Sequence, residues 1–235
     1  MRPDPERDLD GALLSPGRPA LAPGWTSEGV IEVLEAMSEP RRRERILAVA
    51  EARVGGVTLL MDAPYDPHNA AAVIRSCDAF GVPELHVVPR DGQFLIGKRV
   101  TQGTERWVDV MLHERPEAAV EVLRARGFRL IATHPEGNLT PEDLAPLERV
   151  CLVLGNEHDG ISAALTGAAD DTVRIPVRGF VESLNLSVAA ALLLRAATLG
   201  RKGDLSATEL RRLYAIGLAR SVPRAEEILA ALAPR

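Results

Sequence analysis

Residues 175–194 read IPVRGFVESLNLSVAAALLL, and this stretch decides how the chain is folded. A polar turn runs into VAAALLL, Val188 to Leu194, which is apolar on every face of a helix. A helix apolar all round is packed on all sides, so the segment predicts a buried core helix. Glu182, Ser183, Asn185 and Ser187 gather where that helix begins. The first turn of a helix carries unpaired N–H groups that a side chain or a ligand must satisfy. Taken alone, the segment reads equally as a capped core helix or as one wall of a ligand site.

Outward from it, strands and helices alternate. Short apolar runs predict strands over Val57 to Met61, Leu85 to Val88, Trp107 to Met111, Phe128 to Thr133, Val150 to Leu154 and Thr172 to Ile175. Helices are predicted over Asn69 to Phe80, closed by Gly81, over Pro116 to Arg126, closed by Gly127, and near Ile161 to Thr166. Continuous apolar strands joined by helices imply an α/β fold, a mainly parallel sheet with helices on both faces. No GxGxxG loop follows the first strand, so the usual dinucleotide fingerprint is absent.

The ends of the chain differ from this core. Residues 1–25 are rich in Pro, Gly and charge without periodicity, and are expected to form a disordered arm. Residues 26–55 form a helical extension: Val30, Ile31, Leu34 and Met37 stand at helical spacing, and RRRERILAVAEARV follows Pro40. Residues 56–200 carry the α/β domain. Residues 201–235 form a second helical extension, introduced by the capping-box pattern Ser206-Ala207-Thr208-Glu209.

With 46% hydrophobic and 26% charged residues the composition is that of a globular domain. Aromatics at 3% argue against stacking platforms for single-stranded RNA. The net charge of −5 opposes long-range steering of a polyanion, although screening confines charge to about 8 Å at physiological salt. Cys77 and Cys151, the two cysteines, stand in a predicted helix and an apolar strand, where they are expected as small buried hydrophobes rather than nucleophiles. With no leader-like N-terminal segment, the expected setting is a reducing cytoplasm. No Cys or His spacing suggests a metal site.

Two further segments carry polar residues into the apolar pattern. One is Asp66-Pro67-His68-Asn69-Ala70-Ala71-Ala72-Val73-Ile74-Arg75, running on into Ser76-Cys77-Asp78-Ala79; the other is Leu152-Val153-Leu154-Gly155-Asn156-Glu157-His158-Asp159-Gly160-Ile161-Ser162. An Asn opening a helix with an Arg six residues on, then LxLGNExxGxS, then IPxxGxxESLNxSVAAAxLL, resembles the three motifs of the SpoU (TrmH) RNA ribose 2′-O-methyltransferases of the SPOUT superfamily. The resemblance spans roughly 57–199 and is most specific in its third motif. Ala71 stands where the first motif often has Gly, and the HN-A-x-A-V-I-R-S-C-D-A form looks nearest to the type that methylates a D-loop guanosine of tRNA.

The resemblance implies a C-terminal trefoil knot, S-adenosyl-L-methionine as cofactor, RNA, most of all tRNA, as partner, and a homodimer. It implies a cofactor pocket walled by the loops Thr133 to Pro135, Gly155 to Glu157, Ile175 to Gly179 and Ser183 to Asn185, with Thr133, Gly155, Asn156, Ile175, Val177, Gly179 and Leu184 as the cofactor-binding residues. It makes Arg75, Asn69, Glu157, Ser183 and Asn185 the catalytic group. Arginine is a poor base at neutral pH, so Arg75 is expected to act electrostatically, on a substrate phosphate and on the ribose oxygen as it loses its proton. From the residues themselves, Asn69 reads equally as a helix N-cap, and Arg75, set between apolar neighbours, is expected to have a phosphate or carboxylate partner. Arg41, Arg42, Arg43, Arg45, Arg211 and Arg212 are the candidate RNA grips. Three rivals remain: 23S rRNA as substrate, a non-catalytic RNA-binding module, and a metabolic enzyme for a small acidic or nucleotide substrate.

Overall fold

The computed structural model describes residues 24–90 and 107–232, with the backbone of Leu13 and Leu14. The expected disordered arm therefore lies almost wholly outside the described residues, save that Leu13–Leu14 (β1) pairs antiparallel with Met111 and Leu112, and that Trp25 is buried. The chain divides into two units, one of residues 1–18 and 55–201, the other of residues 19–54 and 202–235.

In the first unit the strands are β2 (Val57–Asp62), β3 (Glu84–Val88), β4 (Asp109–Leu112), β5 (Arg129–Thr133), β6 (Val150–Leu154) and β7 (Asp171–Val173). They form one sheet in the order β1-β4-β3-β2-β6-β5-β7, with every pair after the first parallel. The register sets Leu59 beside Leu85 and Leu152. Two strands are displaced from expectation: β4 begins at Asp109 rather than Trp107, and β7 stops at Val173, after which Arg174 to Asn185 leaves the sheet as loop.

Helices α3 (Pro67–Ala79), α4 (Pro116–Ala125), α5 (Ala163–Ala168) and α6 (Leu186–Ala197) cover the sheet. Leu60, Leu130, Cys151 and Val153 point to one face, where Ala119, Leu123 and Leu165 of α4 and α5 close the core with Phe128. Helix α3 packs on α6, and α6 on β6. Both cysteines are buried as expected, and burial pushes the Cys151 thiol up. The apolar helix α6 departs from the reading of its sequence. Leu186, Ala190, Leu193 and Leu194 are buried, but Val188 is 47% and Leu192 45% exposed, so this unit covers one face of the helix and leaves a stripe open.

A buried polar network ties the start of β3 to β4 and the end of α4. Glu84 accepts from His86 Nε2 at 2.6 Å and from Arg126, and His86 Nδ1 meets His113 Nε2 at 2.7 Å. Burial and the neighbouring His86 push the His113 imidazole down to about 3, against the pull of Glu84. Burial would raise Glu84, but His86 and Arg126 together hold its carboxyl well below the usual range.

The second unit joins both helical extensions around one core. Helices α1 (Ser27–Leu34), α2 (Pro40–Glu51), α7 (Ala207–Ser221) and α8 (Ala225–Ala231) contribute Val30, Leu34, Ile46, Leu218 and Leu229, with Trp25 among them. Ser206 and Glu209 form the expected reciprocal cap of α7. Gly217 lets α7 approach α2, since a Cβ there would stand 2.2 Å from Ile46 Cγ2. No helix among the described residues is long and apolar enough to cross a membrane.

Candidate functional site

In a parallel α/β sheet, ligands bind beyond the carboxyl ends of the strands where successive connections leave in opposite directions. That point lies between β2, whose chain turns toward β3, and β6, whose neighbour on the far side is β5. The buried Asp62 ends β2 and accepts from the backbone N–H of Ser162, beyond β6, at 2.6 Å. This contact clamps the two diverging loops together at the place where the predicted residues gather.

The loop after β6 is built by its own residues. Asn156 is buried, and its Oδ1 accepts from the N–H groups of His158 and Asp159 at 2.9 and 2.7 Å. Asn156 and Gly160 exchange backbone hydrogen bonds at 3.1 and 3.2 Å. The fold-back brings Gly160 against Gly155, where a Cβ would stand 2.2 Å from the Gly160 carbonyl carbon. Gly155 is therefore glycine for the loop's own closure, and Asn156 holds that closure from within. Glu157, at the tip, is exposed.

Helix α3 starts two residues earlier than the sequence suggested. Asp66 is its N-cap, accepting from His68 N–H at 2.8 Å, and Pro67 opens the helix. Asn69 thus lies inside the first turn with its amide free for other work. Its Nδ2 donates to Glu157 Oε1, and its Oδ1 accepts from Asn185 Nδ2 at 3.2 Å. Asn185 in turn is the N-cap of α6, its Oδ1 accepting from the Ser187 N–H at 2.9 Å and hydroxyl at 2.6 Å. Asn185, Asn69 and Glu157, one from each motif, form a continuous chain.

That chain borders a cavity of about 500 Å³. Thr133, Gly155, Asn156, Glu157, Ile175, Val177, Ser183, Leu184 and Asn185 all line it, as the sequence had suggested. Gly179 does not: it is exposed, with open space where a Cβ would sit. His134 and Pro135, within the first of the expected loops, line it as well, whereas Leu154, Ile161 and Ala189, which also line it, were missed by the sequence reading. It missed Asp62 too, although a carboxylate closing the buried strand VTLLMD was a legible signal. Gly137, whose Cβ would meet the Val173 backbone at 2.5 Å, left no such signal. Beside this cavity opens a second of about 340 Å³, lined by Tyr65, Asp66, Pro67, Asn69, Glu157 and His158. Glu157 belongs to both.

Arg75 departs from expectation. Its neighbours Ile74 and Cys77 are buried, but its own side chain is exposed and makes no hydrogen bond or ion pair among the described residues. It lines neither cavity. On a helix, apolar neighbours in sequence face the core while the residue between them faces out, so no carboxylate partner within the chain is needed.

The candidate RNA grips all lie in the second unit, and they are not equivalent. Arg43 donates to the Glu35 carbonyl at 2.9 Å, Arg42 Nε to Ser221 Oγ at 2.9 Å, and Arg211 stands 3.4 Å from the Glu28 carboxylate. Arg212 is engaged as well. Arg41 and Arg45, one turn apart on α2, are exposed without such partners among the described residues.

Residues 56–195 match the family model described as SpoU rRNA Methylase. The chain is 34% identical over 156 residues to the tRNA (guanosine(18)-2′-O)-methyltransferase of Escherichia coli K12, covering 66% of this chain and 68% of that protein. The solved A. aeolicus TrmH/SpoU tRNA modifying enzyme superimposes with a TM-score of 0.70 at 28% identity, over 77% of this chain and 97% of that one. An AdoMet-bound rRNA methyltransferase from Sinorhizobium meliloti superimposes with a TM-score of 0.56 at 27% identity, over 63% of this chain and 59% of that one.

Proposed function

The chain belongs to the SpoU rRNA methylase family, whose members are S-adenosylmethionine-dependent RNA 2′-O-methyltransferases, and from that premise we propose that it methylates the ribose of a D-loop guanosine in tRNA. The observation that carries this reading is the hydrogen-bonded chain Asn185, Asn69, Glu157 at the edge of the 500 Å³ cavity. The choice of tRNA rests on the E. coli relative.

The residues lining the larger cavity suit the cofactor. Main-chain groups at Gly155, Ile175 and Leu184 can read an adenine edge, Leu154, Ile161 and Leu186 offer apolar contact, and the carboxylates of Glu157 and Glu182 complement a cationic ligand. When bound, S-adenosylmethionine supplies a methyl group on a sulfonium for in-line displacement by the ribose oxygen. The protein's own task is alignment, which contributes about 7–11 kcal/mol to such transfers. Asn69 fixes the Glu157 carboxylate, and Asn185 fixes Asn69, so the carboxylate that meets the ribose hydroxyl is oriented through a relay of two amides. Ser183 adds a polar group to the same wall. Arg75, exposed and unpaired among the described residues, is free to neutralise a substrate phosphate and the developing alkoxide.

The reading includes the family's C-terminal trefoil knot and a homodimer in the cytoplasm. Support for the dimer comes from Val188 and Leu192, exposed one turn apart along α6, and from Leu199 just beyond the end of that helix, apolar surface that a second copy would cover. Of the candidate grips, Arg41 and Arg45 are the most available to the RNA backbone.

The test is transfer of labelled methyl to separate unmodified tRNA and 23S rRNA transcripts, mapping the nucleotide that resists alkaline hydrolysis. Label at a tRNA D-loop guanosine is the expected result. Label only in rRNA keeps the chemistry and moves the substrate, the reading favoured by the Sinorhizobium neighbour. No transfer to either overturns the function.

A further inference from the structure

Building on the transferase reading, we propose that the 340 Å³ cavity is the acceptor-nucleotide subsite, with Tyr65 and His158 as the stacking platform for its base. A group transfer needs two cavities that meet where the group crosses. The two cavities here share Glu157, and the Asn69 amide bound to that carboxylate marks the partition. With the donor in the larger one, the 2′-oxygen must approach the partition from the smaller one, and the base attached to the same ribose comes in with it.

The lining is suited to a base and not to a phosphate. Asp66 and Glu157 place carboxylates in the wall, so an entering phosphodiester is repelled and its charge is left outside. The outer wall is aromatic. The Tyr65 ring is 61% exposed and meets the His158 ring edge-on, centroids 4.9 Å apart and planes at 89°. The Arg90 guanidinium lies 5.8 Å from the Tyr65 ring centroid and is anchored by Asp159 at 2.6 Å. Among the described residues the other exposed Phe, Tyr or Trp is Phe180, which lines neither cavity. A tyrosine held open to water between two such neighbours, beside the reacting wall, has no packing role that would explain its place. A planar base lying on one ring is edged by the other, a corner that seats one unstacked nucleotide. Low aromatic content excludes a long platform; a single everted base needs one ring.

The test uses the full chain and a transcript carrying its mapped acceptor nucleotide, the same transcript abasic at that position with the 2′-hydroxyl kept, and one with 2-aminopurine there. Tyr65→Ala should lower kcat/KM by roughly 5- to 150-fold, with unchanged cofactor affinity, while Tyr65→Phe stays near wild type. The abasic transcript should lower wild-type kcat/KM by a similar factor and add almost nothing to Tyr65→Ala, because both changes remove the same contact. Binding should quench 2-aminopurine with wild type and Tyr65→Phe and not with Tyr65→Ala. Losses that simply multiply, undiminished quenching with Tyr65→Ala, or a fall in cofactor affinity overturns the platform; the last would hand the cavity to the donor. Quenching by a wild-type protein that transfers no methyl overturns the function and supports the platform, whereas transfer without quenching does the reverse.

Discussion

The side-chain amide of Asn185 donates to Oδ1 of Asn69 at 3.2 Å, across 116 positions of sequence. The same Asn185 caps α6 through its Oδ1. The two faces of one amide thus serve stability and site geometry separately. Asn185→Ala should lose both, lowering stability by about 1 kcal/mol, roughly 2–4 °C in Tm, and impairing transfer more than Asn69→Ala does. Asn185→Asp keeps the cap and loses the donor, so it should retain Tm and still impair transfer. Scanning calorimetry beside initial rates checks this; equal Tm losses for Asn185→Ala and Asn185→Asp would contradict it.

Arg75→Ala should abolish methyl transfer while leaving cofactor affinity intact. Its side chain is exposed and unpaired among the described residues, so stability should change by no more than about 0.5 kcal/mol. Rates, cofactor titration and urea midpoints on the purified variant separate these effects. Wild-type transfer by Arg75→Ala removes the electrostatic role assigned to it.

Gly155 and Gly179 look alike in sequence and should behave differently. A Cβ at Gly155 would meet Gly160 backbone at 2.2 Å, whereas at Gly179 it meets open space. Gly155→Ala should distort the loop at a cost of about 1–3 kcal/mol and weaken cofactor binding. Gly179→Ala should leave both stability and cofactor affinity near wild type. Titration with S-adenosylmethionine distinguishes them, and equal affinities in the two variants would refute the loop-closure account.

Stability should fall as pH drops from 6.5 toward 3. His113 has a folded value of about 3 against 6.5 unfolded, so the unfolded chain takes the proton first. Its contribution is complete above 6.5 and is lost on acidification, with a slope approaching about 1.4 kcal/mol per pH unit. Glu84, also lowered, adds to the loss below its unfolded 4.5. Urea unfolding of wild type and His113→Asn across this range tests the assignment; the variant should lack the upper part of the slope, and a wild type flat down to 4.5 would exclude it.

Leu192 is 45% exposed within the apolar stripe of α6. Leu192→Asp should convert the proposed dimer to monomer in sedimentation experiments without unfolding the α/β domain. A monomeric wild type, or an unaltered dimer in the variant, would remove the stripe from the interface.

By itself, the sequence determined the α/β layering, because fully buried parallel strands require unbroken apolar runs such as Val150 to Leu154. It also determined the three polar clusters, since Asn69, Glu157 and Asn185 interrupt apolar helices and strands at their ends. Their meeting was decided only in three dimensions: the strand order sets β2 beside β6, and Asp62 then ties their loops. Direction was likewise beyond sequence. Arg75 faces solvent among buried neighbours, and Val188 and Leu192 remain exposed on a helix whose composition called for burial all round. Composition measures how much apolar surface the helix carries, while only packing settles which face this unit covers and which it leaves open. Even Asn69 changed meaning in this way, for Asp66 took the cap and freed the amide to join two distant motifs.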